Sequence, residues 1–259
     1  MVLVMDRVKT RKKNVFITKR DEHIFSFLYM FKIASREQLH KKFFPNASLR
    51  VALRRLEILR QVNLIKVIPL ETETGAFRKA YSLTPRAFKE YIDPNGKCNR
   101  QELRSDAKNH DIRLGDIYLS LINYKEVTQY YPENLLQAGL TRNSKVDLTR
   151  LHDNGHDAIF LLNKKADTYY PVAIEYEHSS KTQKRYHHFF SKVYTTSRLE
   201  AVYYICKSQA VLDKVISIDR KYYADLPVKI FYQLYDEVIK EEKSLVFFSK
   251  TSATSTINK

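Results

Sequence analysis

Cysteine is nearly absent from this sequence. Cys98 and Cys206 are the only two in 259 residues, far apart and without metal-finger spacing, which excludes a disulfide scaffold and a structural zinc module. Long apolar runs are missing as well: no stretch approaches the roughly 20 apolar residues of a membrane helix. The opening MVLVMDRVKTRKKN has an apolar run too short for a signal-peptide core, and its charges follow that run instead of preceding it. Together these absences predict a cytoplasmic protein in a reducing setting, with no membrane span. Acid is scarce relative to base, and the scarcity is uneven.

Of 45 Lys and Arg against 29 Asp and Glu, residues 1–97 hold 21 and 9, so this part carries +12 of the net +16. Such an imbalance strains a compact protein unless a polyanion is its normal partner, and nucleic acid is the first expectation. With 44% hydrophobic residues the chain has enough material for a core in each of two modules.

The first module, residues 1–95, reads as three helices and a hairpin. DEHIFSFLYMFK (21–32) has Ile24, Phe27, Leu28 and Phe31 at helical spacing. Ser35 and Gln38 have the separation of a capping box, which opens a short second helix. SLRVALRRLEILRQV (48–62) forms an amphipathic third helix with its arginines off the apolar side, and LIKVIPL (64–70) and FRKAYSL (77–83) read as strands joined by the ETETGA loop. Pro85 opens a closing helix over 84–92. This order predicts a winged helix-turn-helix that binds double-stranded DNA, with Arg50, Arg54 and Arg55 in the major groove and Arg78 and Lys79 on phosphate. The alternatives are a protein-docking winged helix and a solvated basic face.

The second module, residues 100–245, begins with a helix in which Leu103, Ala107, His110, Leu114, Ile117 and Leu121 recur on one face. His110 reads there as a core residue, and Asp111 and Asp116 lie off the stripe. DAIFLL (157–162) and PVAIEYE (171–177) suggest a hairpin, followed by a helix over 180–197, an apolar strand AVYYICK (201–207), a helix near 209–223 and a strand VKIFYQL (228–234). The fold class is therefore α+β in two domains, and the Ser/Thr-rich end, residues 246–259, reads as a disordered tail. Glu175 and Glu177 interrupt an apolar strand on one face, about 7 Å apart by the usual strand rise. Acids so placed suit a cation-binding cleft, or else a solvent-facing hairpin whose acids balance Lys164, Lys165 and Lys181.

Asp157, then 17 residues, then Glu175-Tyr-Glu177 and Lys181 resembles the active site of the PD-(D/E)XK nuclease superfamily, whose fold is restriction-endonuclease-like. Glu177 stands where that signature has lysine, so Lys181 or Lys184 from the following helix would have to supply the positive charge the resemblance implies. The basic first module, NHDIRLGDIYLSL (109–121), DAIFLL and IEYEHSSKTQKRY (174–186) make the whole chain similar to the plasmid replication-relaxation family, which includes the MobC-type relaxases. That resemblance implies metal-dependent DNA nicking at a plasmid transfer or replication origin. Asp157, Glu175 and Glu177 would hold Mg2+ or Mn2+ through hard oxygen ligands, Lys181 or Lys184 would neutralise the phosphate, and Arg185 would touch the DNA backbone. Conjugation coupling and accessory proteins are the further partners it implies.

No His-x-His occurs, as the metal triad of conventional relaxases requires, and Tyr176 and Tyr186 are two of 18 tyrosines, so their closeness to the acids weighs little. Two function classes remain: a metal-dependent nicking enzyme, and a non-catalytic origin-binding or regulatory protein on a nuclease-like scaffold.

Overall fold

The computed structural model describes residues 15–71, 77–98, 101–141, 144–148, 155–165, 168–195, 199, 201–240 and 244–258, the side chains of 164 and 165 excepted. The opening MVLVMDRVKTRKKN, most of the ETETGA loop and the lysines proposed to balance the acids at 164 and 165 therefore lie outside the described residues or side chains.

Local sequence sets the first helices. Thr18 caps α1 (Lys19–Phe31): its backbone N–H and hydroxyl donate to Asp21 Oδ2 at 2.8 and 2.7 Å, and its Oγ1 accepts from Asp21 N–H. A two-residue strand β1 (Ala34–Ser35) leads into α2 (Arg36–Phe43), where Ser35 and Gln38 form the expected capping box. Then come α3 (Leu49–Gln61), β2 (Ile65–Glu71), β3 (Phe77–Leu83) and α4 (Pro85–Ala87), which runs on as a π-helical turn, Phe88–Ile92. The hairpin gains a third strand, because β1 pairs with β3 through Ala34↔Tyr81 and Ser35↔Ala80.

The rest of the chain builds a seven-stranded sheet in the order β10-β9-β8-β7-β6-β5-β4. Its elements are α5 (Lys108–Leu121), β4 (Val127–Pro132), α6 (Glu133–Gln137), β5 (Ala158–Lys165), β6 (Thr168–Glu177), α7 (Gln183–Thr195), β7 (Ala201–Cys206), α8 (Gln209–Tyr222), β8 (Ile230–Leu234), α9 (Tyr235–Ile239), β9 (Ser244–Ser249) and β10 (Thr254–Asn258). Strand β6 is parallel to β7 and β7 to β8, with α7 and α8 as crossovers, while the other neighbours pair antiparallel. The molecule is thus a mixed α+β structure with a mostly antiparallel sheet.

Alternation along β6 distributes its side chains between two cores. Val172, Ile174 and Tyr176 join a cluster with α1, α5 and α9, whereas Ala173 joins the cluster under α7 and α8. The first cluster is continuous from Ile24 and Phe27 to Phe247 and Ile257, so the first three helices and the sheet share one apolar interior.

Three expectations are corrected here. The stripe beginning at Leu103 is helical only from Lys108, because the backbone before it is committed elsewhere: Leu103 O accepts from Ser82 Oγ at 3.2 Å, and Glu102 O from Asn134 Nδ2 at 3.0 Å. The irregular stretch between α5 and β5 contains β4 and α6, which weak local periodicity concealed. Most of the expected disordered tail is the β9–β10 hairpin, with Phe247 and Ile257 fully buried. Threonine suits strands, and alternate residues were enough to give that end an inward face.

Candidate functional site

Pairing of Ala158 with Ile174 sets Asp157 just outside β5, at the sheet end where β6 carries Glu175 and Glu177. The three acids lie at one end of the sheet but engage different partners. Asp157 Oδ2 accepts the Tyr176 backbone N–H at 2.7 Å and lies 3.4 Å from His110 Nε2 of α5. Glu175 Oε1 makes a short contact with Nδ1 of the buried His156. Glu177, 3% exposed, accepts from Tyr204 OH at 2.8 Å and pairs with Lys181 Nζ at 3.0 Å.

Electrostatics follow from these partners. Burial raises the Glu175 carboxyl above its ordinary range, against the opposing pull of His156. Burial also works against a charged His110, yet hydrogen bonds and charges from Asp111 and Asp157 outweigh it and push the imidazole up to about 10. His110 is therefore an ion-paired tether between α5 and the start of β5, on the stripe where an apolar-core role was expected.

The loop after β6 is fixed by a residue that sequence reading missed: Lys214 Nζ of α8 donates to Ser180 Oγ at 2.7 Å and to Lys181 O at 2.9 Å. His156 and Tyr204 were missed too. His156 had a signal, its place directly before Asp157; Tyr204 had none, since only the parallel β6–β7 register sets it opposite Glu175, near Glu177. Lys184 and Arg185 are exposed on α7.

Asp157, Glu175 and Glu177 are each engaged by a different partner within the chain. Among the described residues no three His, Cys, Asp or Glu side chains converge into a metal-holding group. The ammonium of Lys181 already meets Glu177, and Asp157 is turned onto a backbone N–H. Nor do the nearby tyrosines offer free nucleophiles. Tyr176 and Tyr186 are 2% and 1% exposed, with hydroxyls bonded to His178 Nδ1 and the Lys181 N–H. Burial raises the Tyr186 phenol, and burial with Glu177 raises the Cys206 thiol, so neither is activated.

The basic face has a different character. Helix α3 packs through Ala52, Leu56 and Leu59 and leaves Arg50 and Arg54 exposed, together with Leu49 and Val51 at 37% and 52% exposure. Arg50 and Arg54 have no ion pair among the described residues. Arg78 and Lys79 are likewise exposed on β3. Arg55 departs from the expected DNA contact set. Its Nε and Nη2 bond Asp21 Oδ1 and Oδ2 at 2.9 and 2.5 Å, and Nη2 also donates to Phe16 O at 2.8 Å. Asp21 is fully buried, so Arg55 is the counter-charge of the helix core; its i+1 position beside Arg54 turns it inward.

No family model, curated protein or solved structure matches the chain.

Proposed function

We propose that this protein binds double-stranded DNA through its first module, acting as a winged helix-turn-helix, and that its second module is a nuclease-like scaffold whose acids serve internal pairing. In the terms of the plasmid replication-relaxation family it resembles, this is the origin-binding or regulatory role, with accessory mobilisation proteins as further partners. The observation that carries the reading is the outer face of α3. Two arginines without an ion pair among the described residues flank the exposed Val51 on a helix whose other side is buried, a mixture suited to phosphate or guanine contact and to a thymine methyl. The +12 balance of residues 1–97 supports it, since counterion release gives such a module affinity for any duplex.

Replacing Arg50 and Arg54 by Ala tests it. Affinity for duplex falls, and the slope of log K against log salt becomes shallower by about one for each phosphate contact removed. An unchanged slope in the double variant removes α3 as the DNA surface.

Strand nicking is the second reading, favoured by the placement of Asp157, Glu175, Glu177 and Lys181 at one sheet end. Supercoiled plasmid incubated with the wild type and Mg2+ or Mn2+ separates the two. The binding reading expects no nicked product. Nicking that disappears in both Asp157→Ala and Glu175→Ala, with duplex binding kept, replaces it by the enzymatic one.

A further inference from the structure

A cleft of about 350 Å³ lies between the β2–β3 hairpin and the segment 103–107 with the first residue of α5, Lys108. Four cations line it, Lys32, Lys66, Arg104 and Lys108, against a single acid, Asp106. Two of the four have a carboxylate partner among the described residues and two do not. Among the described residues Lys66 has no ion pair, and the Lys108 ammonium donates to the Pro69 carbonyl, at 3.3 Å, with no carboxylate partner. Lys32 meets Glu133 at 3.4 Å and Arg104 meets Asp106 at 3.1 Å, the latter with both side chains 83% exposed, where a pair contributes little.

A second observation marks the same place. Ser105 Oγ is buried and has no hydrogen-bond partner among the described residues. A buried hydroxyl left unsatisfied is uncommon and calls for a partner. Ser105 is among the residues that line the cationic cleft, with this Oγ turned away from its open space.

We propose that this cleft binds a phosphate group, with Lys66 and Lys108 neutralising it and the Ser105 hydroxyl, brought from its buried position to the cleft wall by rotation about χ1, donating to one of its oxygens. Ammonium and guanidinium groups with a neutral hydroxyl donor match the acceptor-only oxygens of phosphate. The volume is at the lower end for small-molecule sites, enough for a nucleotide as well as a bare anion. Lys66 lies on the hairpin face shared with Ile68 and Leu70, whereas Ile65 and Val67 face the core that includes α3. The inference is thus independent of DNA binding by α3, and two sources fit its chemistry: a free nucleotide or phosphate, and the backbone of a nucleic acid.

Calorimetric titration of the full chain with inorganic phosphate and with adenosine monophosphate forms one arm, and salt-dependent binding of duplex DNA the other. Ser105→Ala, Lys66→Ala/Lys108→Ala and the charge-keeping Lys66→Arg/Lys108→Arg are compared with wild type, after unfolding curves establish that each is folded. Ser105→Ala weakens the phosphate probe roughly tenfold, as loss of one hydrogen bond to a charged group does. The double alanine variant abolishes binding of that probe, and the arginine pair restores it. If only the duplex responds, by a salt slope shallower by about two in the double alanine variant, the occupant is a backbone phosphate. No response in either arm overturns the proposal, and an unresponsive Ser105→Ala overturns it alone if the double variant does not fold. The Arg50→Ala/Arg54→Ala variant keeps full binding of the small probes, which separates failure of this site from failure of the α3 reading.

Discussion

Arg55 shows how one side chain can look like a contact residue and act as a structural one. Its carboxylate partner, Asp21, is held below its ordinary range: burial opposes this, but hydrogen bonds from Arg55 and Thr18 prevail. Arg55→Ala leaves a carboxylate buried without its cation, which costs about 3–5 kcal/mol. Equilibrium urea unfolding checks this: Arg55→Ala lowers the midpoint markedly, while Arg54→Ala, on the exposed side, leaves it nearly unchanged. His110 gives a pH dependence with a definite sign. Its folded pKa, about 10, lies above the ordinary 6.5, so its contribution is complete below pH 6.5 and is lost as pH rises through 10. Unfolding free energy therefore declines over that window, and the decline is smaller in Asp157→Asn, which removes one of the two carboxylates. A wild-type and Asp157→Asn pair with identical pH profiles contradicts the tether.

At the scale of elements, the link between α2 and α5 is set by one amide. Gln38 caps its own helix and also donates from Nε2 to Ile112 O at 2.7 Å and to Asp116 Oδ1 at 2.9 Å. Gly115 makes that approach possible, since a Cβ there would meet Gln38 Nε2 at 2.9 Å. Gln38→Ala strips partners from buried groups on both helices and destabilises the protein by about 1–3 kcal/mol, read from denaturant unfolding. The capping box was legible because it is local, Ser35 and Gln38 standing three residues apart. The contact to α5 was not, because nothing in residues 35–43 indicates which helix they will meet. The acidic end of the sheet divides in the same way. Glu175 and Glu177 announce themselves as charges in an apolar strand, but Lys214 and Tyr204 reach that end only through α8 and the β6–β7 pairing.

For the whole molecule, a core cluster running from Ile24 on α1 to Ile257 on β10 joins the basic module to the sheet. Unfolding is accordingly expected as one cooperative transition, with circular dichroism and calorimetry coinciding. Removing residues 244–259 takes away Phe247, Ile257 and the buried Lys250, whose ammonium lies 3.8 Å from the fully buried Asp219, and lowers the melting temperature of the entire chain. Two separate transitions, or a truncated chain as stable as the full one, contradict that unity.

By itself the sequence determined the α+β class, the order helix, helix, helix, hairpin, the basic balance of the first module and the positions of the acids in chain order. These are properties of periodicity, capping and composition, which act over a few residues. Tertiary structure alone decided that Arg55 turns inward, that Asp157 meets a backbone N–H and a histidine, that the last residues pair as strands and that four cations gather beside Ser105. Each of those depends on which distant segment arrives, and burial, not local preference, chooses among the partners.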